Sequence, residues 1–200
     1  SDETVNFVQP DTSSITLNRV IGNEKSIIDG ALNANGQVWI LNSNGILFNS
    51  SAKVNTAGIL ATTAQLSDAD FNAGNYNFEN STSNSVINLG TIEVQNAGSV
   101  VLASNEVVNE GTIKATLGKV HLVGANSYSL DLNGNSLFSL KVDKGVLDAM
   151  VSNSGSIIAN GGEIYLTTNA VNELLKGVVN NFTPPPTRRS LRPPVRLQPK

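Results

Sequence analysis

Cysteine is absent from the chain, which excludes a disulfide framework, thiolate metal sites and a cysteine nucleophile. Histidine occurs once, at His121, too few imidazoles for a zinc site. Charged residues make up 14% and aromatic residues 5% of the 200 positions, so a conventional core built on large rings is not available. No apolar run approaches the ~18 residues of a membrane-spanning helix. The opening residues, Ser1-Asp-Glu-Thr, lack the basic, apolar and cleavage regions of a secretory leader, and Val5-Asn-Phe-Val begins directly as a strand.

What the chain has instead is asparagine, 27 residues, with 17 glycines. Both tolerate left-handed backbone angles at tight corners, and stacked asparagines can hydrogen-bond in ladders. They fall in a recurring phrase. Asn88-Leu-Gly90-Thr-Ile92 precedes Gly98-Ser-Val100-Val-Leu102, and Asn109-Glu-Gly111-Thr-Ile113 precedes Gly118-Lys-Val120-His-Leu122. Asn153-Ser-Gly155-Ser-Ile157 then precedes Gly162-Glu-Ile164-Tyr-Leu166. The intervals are 21 and 44 residues, the second being two periods plus a short excursion. A fixed period built from short β-type runs predicts a stacked solenoid, all-β, in which each coil bonds to the next and Val, Ile and Leu point inward in columns. About six to eight coils fit.

Between Asn/Gly corners, residues 5–66 hold strands at Ile15–Val20, Ile27–Leu32, Gly36–Leu41, Ile46–Phe48 and Gly58–Ala61. Three stretches interrupt the pattern. Residues 67–85 read as a strand pair or loop packed outside the coil. Residues 123–150 read as a β-hairpin, Tyr128–Leu132 and Phe138–Val142 about the turn Asn133-Gly134. Val171, Leu174, Leu175 and Val178 fit one face of a short helix over 169–177, and Lys144–Met150 fits another. Val178-Val-Asn180-Asn181 restarts the phrase, but Phe182-Thr-Pro follows it. Residues 1–182 carry eight Lys/Arg and sixteen Asp/Glu, whereas 183–200 carry five basic residues, no acid and repeated prolines. The expectation is a solenoid over 1–182 and an extended Pro/Arg-rich tail over 183–200, a linker or cloning remnant, on a piece of a longer exported protein. The tail has no aromatic to stack on bases, so nucleic acid is not an expected partner.

Catalysis has little to work with. Asp68 and Asp70 form a close acidic pair, but outside the repeat, where a solvated loop is expected, and no catalytic residue is assigned. His121 alternates with Val120 and Leu122, so it should face outward on the surface. Asp131-Leu-Asn-Gly-Asn135 reads as a turn rather than a calcium loop, and neither a metal nor a cofactor is expected. Trp39 could face the core or offer a ring to a sugar.

Over Leu32–Thr63 the chain resembles a known family. Asn42-Ser43-Asn44-Gly45-Ile46 resembles the NPNGI motif of the secretion domain of two-partner secretion exoproteins, the filamentous haemagglutinin and high-molecular-weight adhesin group, with Ser43 in the proline position. The order Phe7-Val-Gln-Pro10, Asn18-Arg-Val20, Ile28-Asp-Gly30, Asn35-Gly-Gln37 also matches, and Asn35, Gly36, Gln37, Val38 and Trp39 form the supporting turn and strand. The resemblance runs over about 5–181, without the family's amino-terminal cap, leader and NPNL-type motif. It implies a right-handed parallel β-helix of a secreted or surface-exposed bacterial protein. Its partner would be an outer-membrane β-barrel transporter whose POTRA domains recognise the domain in the periplasm. The chain would cross unfolded and then act as the template for later repeats.

Physical reasoning suits Asn42, Asn44 and Gly45 to a tight turn in which asparagine side chains satisfy backbone groups, so that they act by making the fold. A partner contact is better sought in unpaired strand of the unfolded segment, with Gly36–Leu41 as a candidate. A binding module for host glycans or cells is the second function compatible with this sequence.

Overall fold

The computed structural model describes residues 3–133, 136–145 and 149–168, and the backbone of 177–181. The expected helix over 169–177 therefore lies outside the described residues up to position 176, and so does the tail. Six coils repeat a three-strand cycle. The first is β1 (Thr4–Phe7), β2 (Ile15–Arg19) and β3 (Ser26–Ile28). The second is β4 (Ala31–Ala34), β5 (Gln37–Leu41) and β6 (Ile46–Phe48). The third has β7 (Lys53–Thr56) and β8 (Gly58–Thr62), then α1 (Asp68–Ala73) and β9 (Tyr76–Glu79) outside the coil, then β10 (Ser85–Asn88). The fourth is β11 (Thr91–Val94), β12 (Ser99–Ser104) and β13 (Glu106–Asn109). The fifth has β14 (Thr112–Lys114) and β15 (Lys119–Gly124), the hairpin β16 (Ser127–Asn133) and β17 (Ser136–Lys144), then β18 (Ala149–Asn153). The sixth is β19 (Ser156–Ile158), β20 (Glu163–Thr167) and β21 (Gly177–Asn181).

Like strands pair in parallel into three six-stranded sheets: a first from β1 to β19, a second from β2 to β20 and a third from β3 to β21. This is the parallel β-helix expected from the repeat. Alternation sends every second side chain inward, and the register aligns them between coils. Val38, Ile59, Val100 and Val120 form one column, Ile46, Val86, Val107 and Val151 a second, and Leu32, Val54, Ile92 and Ile113 a third. All are buried in one apolar core. Each such side chain contributes about 1.5–3 kcal/mol, which is how a chain poor in rings fills its interior.

The corners obey a different rule from the one the sequence suggests. Among the described residues left-handed angles occur at Ala97 and Leu117, not at asparagines, and among glycines only at Gly45, Gly74 and Gly161. The repeat glycines are required by close approach instead. A Cβ on Gly111 would stand 2.1 Å from the Gly90 carbonyl oxygen, and one on Gly155 2.1 Å from that of Gly111. In the second column a Cβ on Gly118 would stand 1.8 Å from the Gly98 oxygen, and one on Gly162 2.0 Å from that of Gly118. Asparagine serves as an internal ladder. Asn88 Nδ2 donates to Asn109 Oδ1 at 2.7 Å and Asn109 Nδ2 to Asn153 Oδ1 at 2.6 Å, all three buried.

Several local expectations change. The run Ile27–Leu32 is two strands, because Asp29 and Gly30 turn a corner between β3 and β4. Asp68 and Asp70 lie in the first turn of α1 rather than in a loop, with Ser67 as N-cap. Of the helix expected over Lys144–Met150, residues 146–148 lie outside the described residues, while Lys144 ends β17 and Ala149 and Met150 open β18, so both of its ends are strand. The two excursions also join. β9 pairs antiparallel with β16, which pairs with β17, giving an outer three-stranded sheet.

That outer sheet covers the outward face of the second parallel sheet and builds another core from Trp39, Leu60, Val101, Phe78 and Tyr128. Trp39 is 2% exposed, with Tyr76 4.9 Å and Phe71 5.9 Å from it, ring to ring. The Tyr128 hydroxyl donates to Thr62 Oγ1 at 2.7 Å. Arg19 reaches Asp68 Oδ1 at 2.6 Å and the Leu66 carbonyl at 2.5 Å, tying the first coil to the entry of α1.

His121 faces outward as expected but is not a surface residue. It is 5% exposed, follows Val101 in its column and stacks on Tyr165 at 4.5 Å. Burial, aided by the Lys119 ammonium and opposed by Glu163, holds its pKa down at about 4. The unfolded chain takes up this proton near pH 6.5. Stability of about 3 kcal/mol is thus fully present above that pH and is lost as pH falls through 4.

Two measurements test these statements. Gly118→Ala should lower unfolding free energy by about 3 kcal/mol, while Gly22→Ala, with no atom within 4 Å of the new Cβ, should change it by less than about 0.5 kcal/mol. Urea midpoints should fall between pH 7 and pH 4, and His121→Phe should flatten that stretch of the profile.

Candidate functional site at the Asn42 turn

β5 carries the chain from a corner at Asn35-Gly36 to a turn at Asn42–Gly45, and β6 leaves that turn with Ile46. The Gly45 N–H donates to the Asn42 carbonyl at 3.0 Å and closes the turn. Gly45 adopts φ 103°, a conformation that favours glycine. The Asn42 carboxamide is fully buried and makes bonds in two directions. Its Oδ1 accepts the Asn44 N–H at 2.9 Å, while its Nδ2 donates to the Glu24 carbonyl at 3.0 Å and to Ser26 Oγ at 2.9 Å. Asn44 Nδ2 donates to the Gly22 carbonyl at 2.7 Å. The turn is thereby sewn to the first coil.

It is sewn equally to the third. The Asn42 N–H donates to the Thr62 carbonyl at 3.0 Å, and Asn84 Nδ2 donates to the Ser43 carbonyl at 2.7 Å. Ile46, 1% exposed, points inward between Ser26 and Val86. Beside the turn lies an open cavity of about 430 Å³ lined by Asn23, Lys25, Asn44, Gly45, Ser85 and Ile87, among others.

At the other end of β5, Asn35 and Gly36 grip a residue to which the repeat pattern assigns no role. Asn35 Nδ2 donates to the Gln9 carbonyl at 2.7 Å and Asn35 Oδ1 accepts the Gln9 N–H at 2.7 Å. Gln9 Oε1 accepts the Gly36 N–H at 3.0 Å, and its Nε2 donates to the carbonyls of Ser14 and Gln37 at 2.9 and 2.8 Å. A Cβ on Gly36 would stand 2.6 Å from the Gln9 side-chain carbon, so glycine opens the notch that Gln9 fills. The one signal for Gln9 is its place in the ordered set Phe7-Val-Gln-Pro10. Along β5, Gln37 is buried, Val38 points into the coil and Trp39 into the outer core. The ten residues thus form one structure, two corners joined by a strand. In the folded domain β5 is paired on both sides, with β2 and β8.

The bonds of this arrangement run between amides, carbonyls and the Ser26 hydroxyl, and its chemistry is hydrogen bonding between coils. A family model described as the TPS secretion domain matches residues 1–184. The chain belongs to the two-partner secretion domain family. Among curated proteins it is similar to a heme/hemopexin-binding protein of Haemophilus influenzae (strain ATCC 51907 / DSM 11121 / KW20 / Rd), 36% identical over 182 residues. That match covers 86% of this chain and 19% of the relative. A second heme/hemopexin-binding protein of Haemophilus influenzae is 43% identical over 74 residues, 37% of this chain and 8% of that one. The solved HMW1 secretion domain from Haemophilus influenzae superposes with a TM-score of 0.76 at 27% identity, over 90% of this chain and 54% of that one. The chain thus spans about a fifth of the first curated relative. As a two-partner secretion domain it is part of an exoprotein, and the family implies an outer-membrane transporter as its partner. No helix among the described residues is long and apolar enough to cross a membrane.

Asn42→Ala should destabilise the two-partner secretion domain by about 3 kcal/mol, because it removes a fully buried carboxamide and strands three part-buried partners, the Asn44 N–H, Ser26 Oγ and the Glu24 carbonyl. Asn44→Ala, losing a more exposed bond, should cost about 1 kcal/mol. Equilibrium urea unfolding of the two variants measures the difference.

Proposed function

We propose that this domain directs the export of a longer bacterial protein and nucleates its folding. POTRA domains of the partner transporter recognise it in the periplasm as unfolded chain. On the outside, the first coils close and the later repeats add to them. The observation that carries this reading is Asn42, which joins the second coil to the first by its side-chain carboxamide and to the third by its backbone N–H. A residue that bonds three successive coils suits a nucleus, since the cost of ordering the first turns is shared among them. On this reading Asn42, Ser43, Asn44, Gly45 and Ile46 act by forming the fold, and the unpaired β5 segment offers main-chain donors and acceptors to the transporter before folding.

A second reading is a module that binds host glycans or cells, and the similarity to two heme/hemopexin-binding proteins favours a binding role. Since the chain covers 19% of the first of them, such binding belongs more naturally to the remainder of the exoprotein. His121, buried and stacked on Tyr165, offers no open imidazole to a haem iron.

Deleting Asn42–Ile46 from the full-length protein, co-expressed with its transporter, should abolish its appearance outside the cell while its synthesis continues. Asn42→Ala should reduce export yet leave binding of the urea-unfolded chain to the isolated periplasmic domains of the transporter unchanged. Normal export of the deletion protein would refute the proposal, and binding of the domain alone to hemopexin or a glycan array would favour the second reading.

A further inference from the structure

The three outward faces of the β-helix differ in kind. The second sheet is covered by the outer sheet. The first presents polar side chains such as Asn33, Asn55, Glu93 and Lys114 in one register column over the middle coils. The third is uncovered among the described residues and carries an aliphatic stripe. The register aligns Ile27 with Leu47, Leu47 with Ile87 and Ile87 with Val108, on four successive coils. These alternate with the inward residues Ile46, Val86 and Val107, so all four point out. Ile27 is 58% exposed and the other three are partly exposed. At one strand spacing of about 4.8 Å per coil the stripe is about 14 Å long.

The neighbouring outward column explains what fits there. It begins with Lys25, just before the inward Ser26, and continues through Gly45, Ser85 and Glu106; Lys25, Gly45 and Ser85 line the same open cavity. The two ends are opposite in charge and the two middle positions are small. Neither Lys25 nor Glu106 has an ion-pair partner among the described residues.

We propose that this face pairs with the same face of a second copy of the chain. A two-fold axis along the strands, midway between β6 and β10, reverses the order of coils and preserves position along each strand. It lays β3 over the partner's β13 and β6 over the partner's β10. Ile27 then meets Val108, Leu47 meets Ile87, the small Gly45 meets Ser85, and Lys25 meets Glu106, each contact made twice. The stripe is self-complementary in shape and charge only in this antiparallel arrangement. With the axis along the stack and through this column, Lys25 would meet Lys25 and Glu106 would meet Glu106. Two sheets packed face to face stand about 10 Å apart, a gap that aliphatic side chains from both sides fill. The patch is small, so the dimer is weak and forms where the protein is concentrated.

Sedimentation velocity of the full chain from low to high micromolar concentration is the test. Reversible dimerisation is expected. Leu47→Glu should abolish it, and Lys25→Glu or Glu106→Lys should each weaken it about tenfold, since each reversal turns two attractions into repulsions. The Lys25→Glu/Glu106→Lys double reversal should restore it. Far-UV circular dichroism and melting of each variant show that the fold is intact. A chain that stays monomeric throughout, association that survives Leu47→Glu, or a double reversal as weak as the single ones overturns the proposal.

Discussion

One constraint governs this domain: successive coils lie a single strand spacing apart, about 4.8 Å, because each pairs with the next by parallel backbone hydrogen bonds. Everything else adapts to that distance. Where the path bends tightly, the carbonyl of one coil comes so close to the next that a Cβ cannot stand between them, so Gly98, Gly118 and Gly162 form one column and Gly90, Gly111 and Gly155 another. Where a polar side chain points inward, the spacing suits a carboxamide bonding to its own kind one coil on. Asn88, Asn109 and Asn153 satisfy one another in this way inside an apolar interior. Charge would be costly there and is absent from that ladder.

The corners between the second and third sheets carry the variation. In successive coils they hold the Val20–Lys25 loop, the Asn42–Gly45 turn, the excursion with α1 and β9, the single Asn105, and the β16–β17 hairpin. Such a corner can lengthen without disturbing the stack, since the strands on either side still pair with the coils above and below. The two long excursions then pair with each other rather than remain separate loops. Their joint sheet buries Trp39, Phe78 and Tyr128, so most of the buried rings lie outside the coil, with Phe48 inside it.

The Asn42 turn is short because it must remain close to its neighbours. Its side chains replace the backbone bonds that a turn leaves unmade, and their partners lie on the first coil, with main-chain bonds completing the link to the third. Gln9 does the same at the opposite end of β5, with its amide in the notch left by Gly36. The motif and its supporting strand are thus one hydrogen-bonded unit over the first coils.

Period, alternation and glycine position made the solenoid, its inward columns and the Asn42 turn legible in the sequence, because each is a rule about neighbours along the chain or one period away. The corner at Asp29-Gly30 was hidden because an apolar run continues across it, and α1 because six residues with few apolar positions have no helical period to display. Contacts between segments without a common period were equally silent. Nothing local in Tyr76–Glu79 announces its pairing with Ser127–Asn133, and alternation alone could place His121 outward but not reveal what covers it. The sequence by itself determined the repeat, and with it the stack. Only the tertiary structure decided which outward faces are covered, since burial depends on segments brought together across the coil at distances that no period encodes.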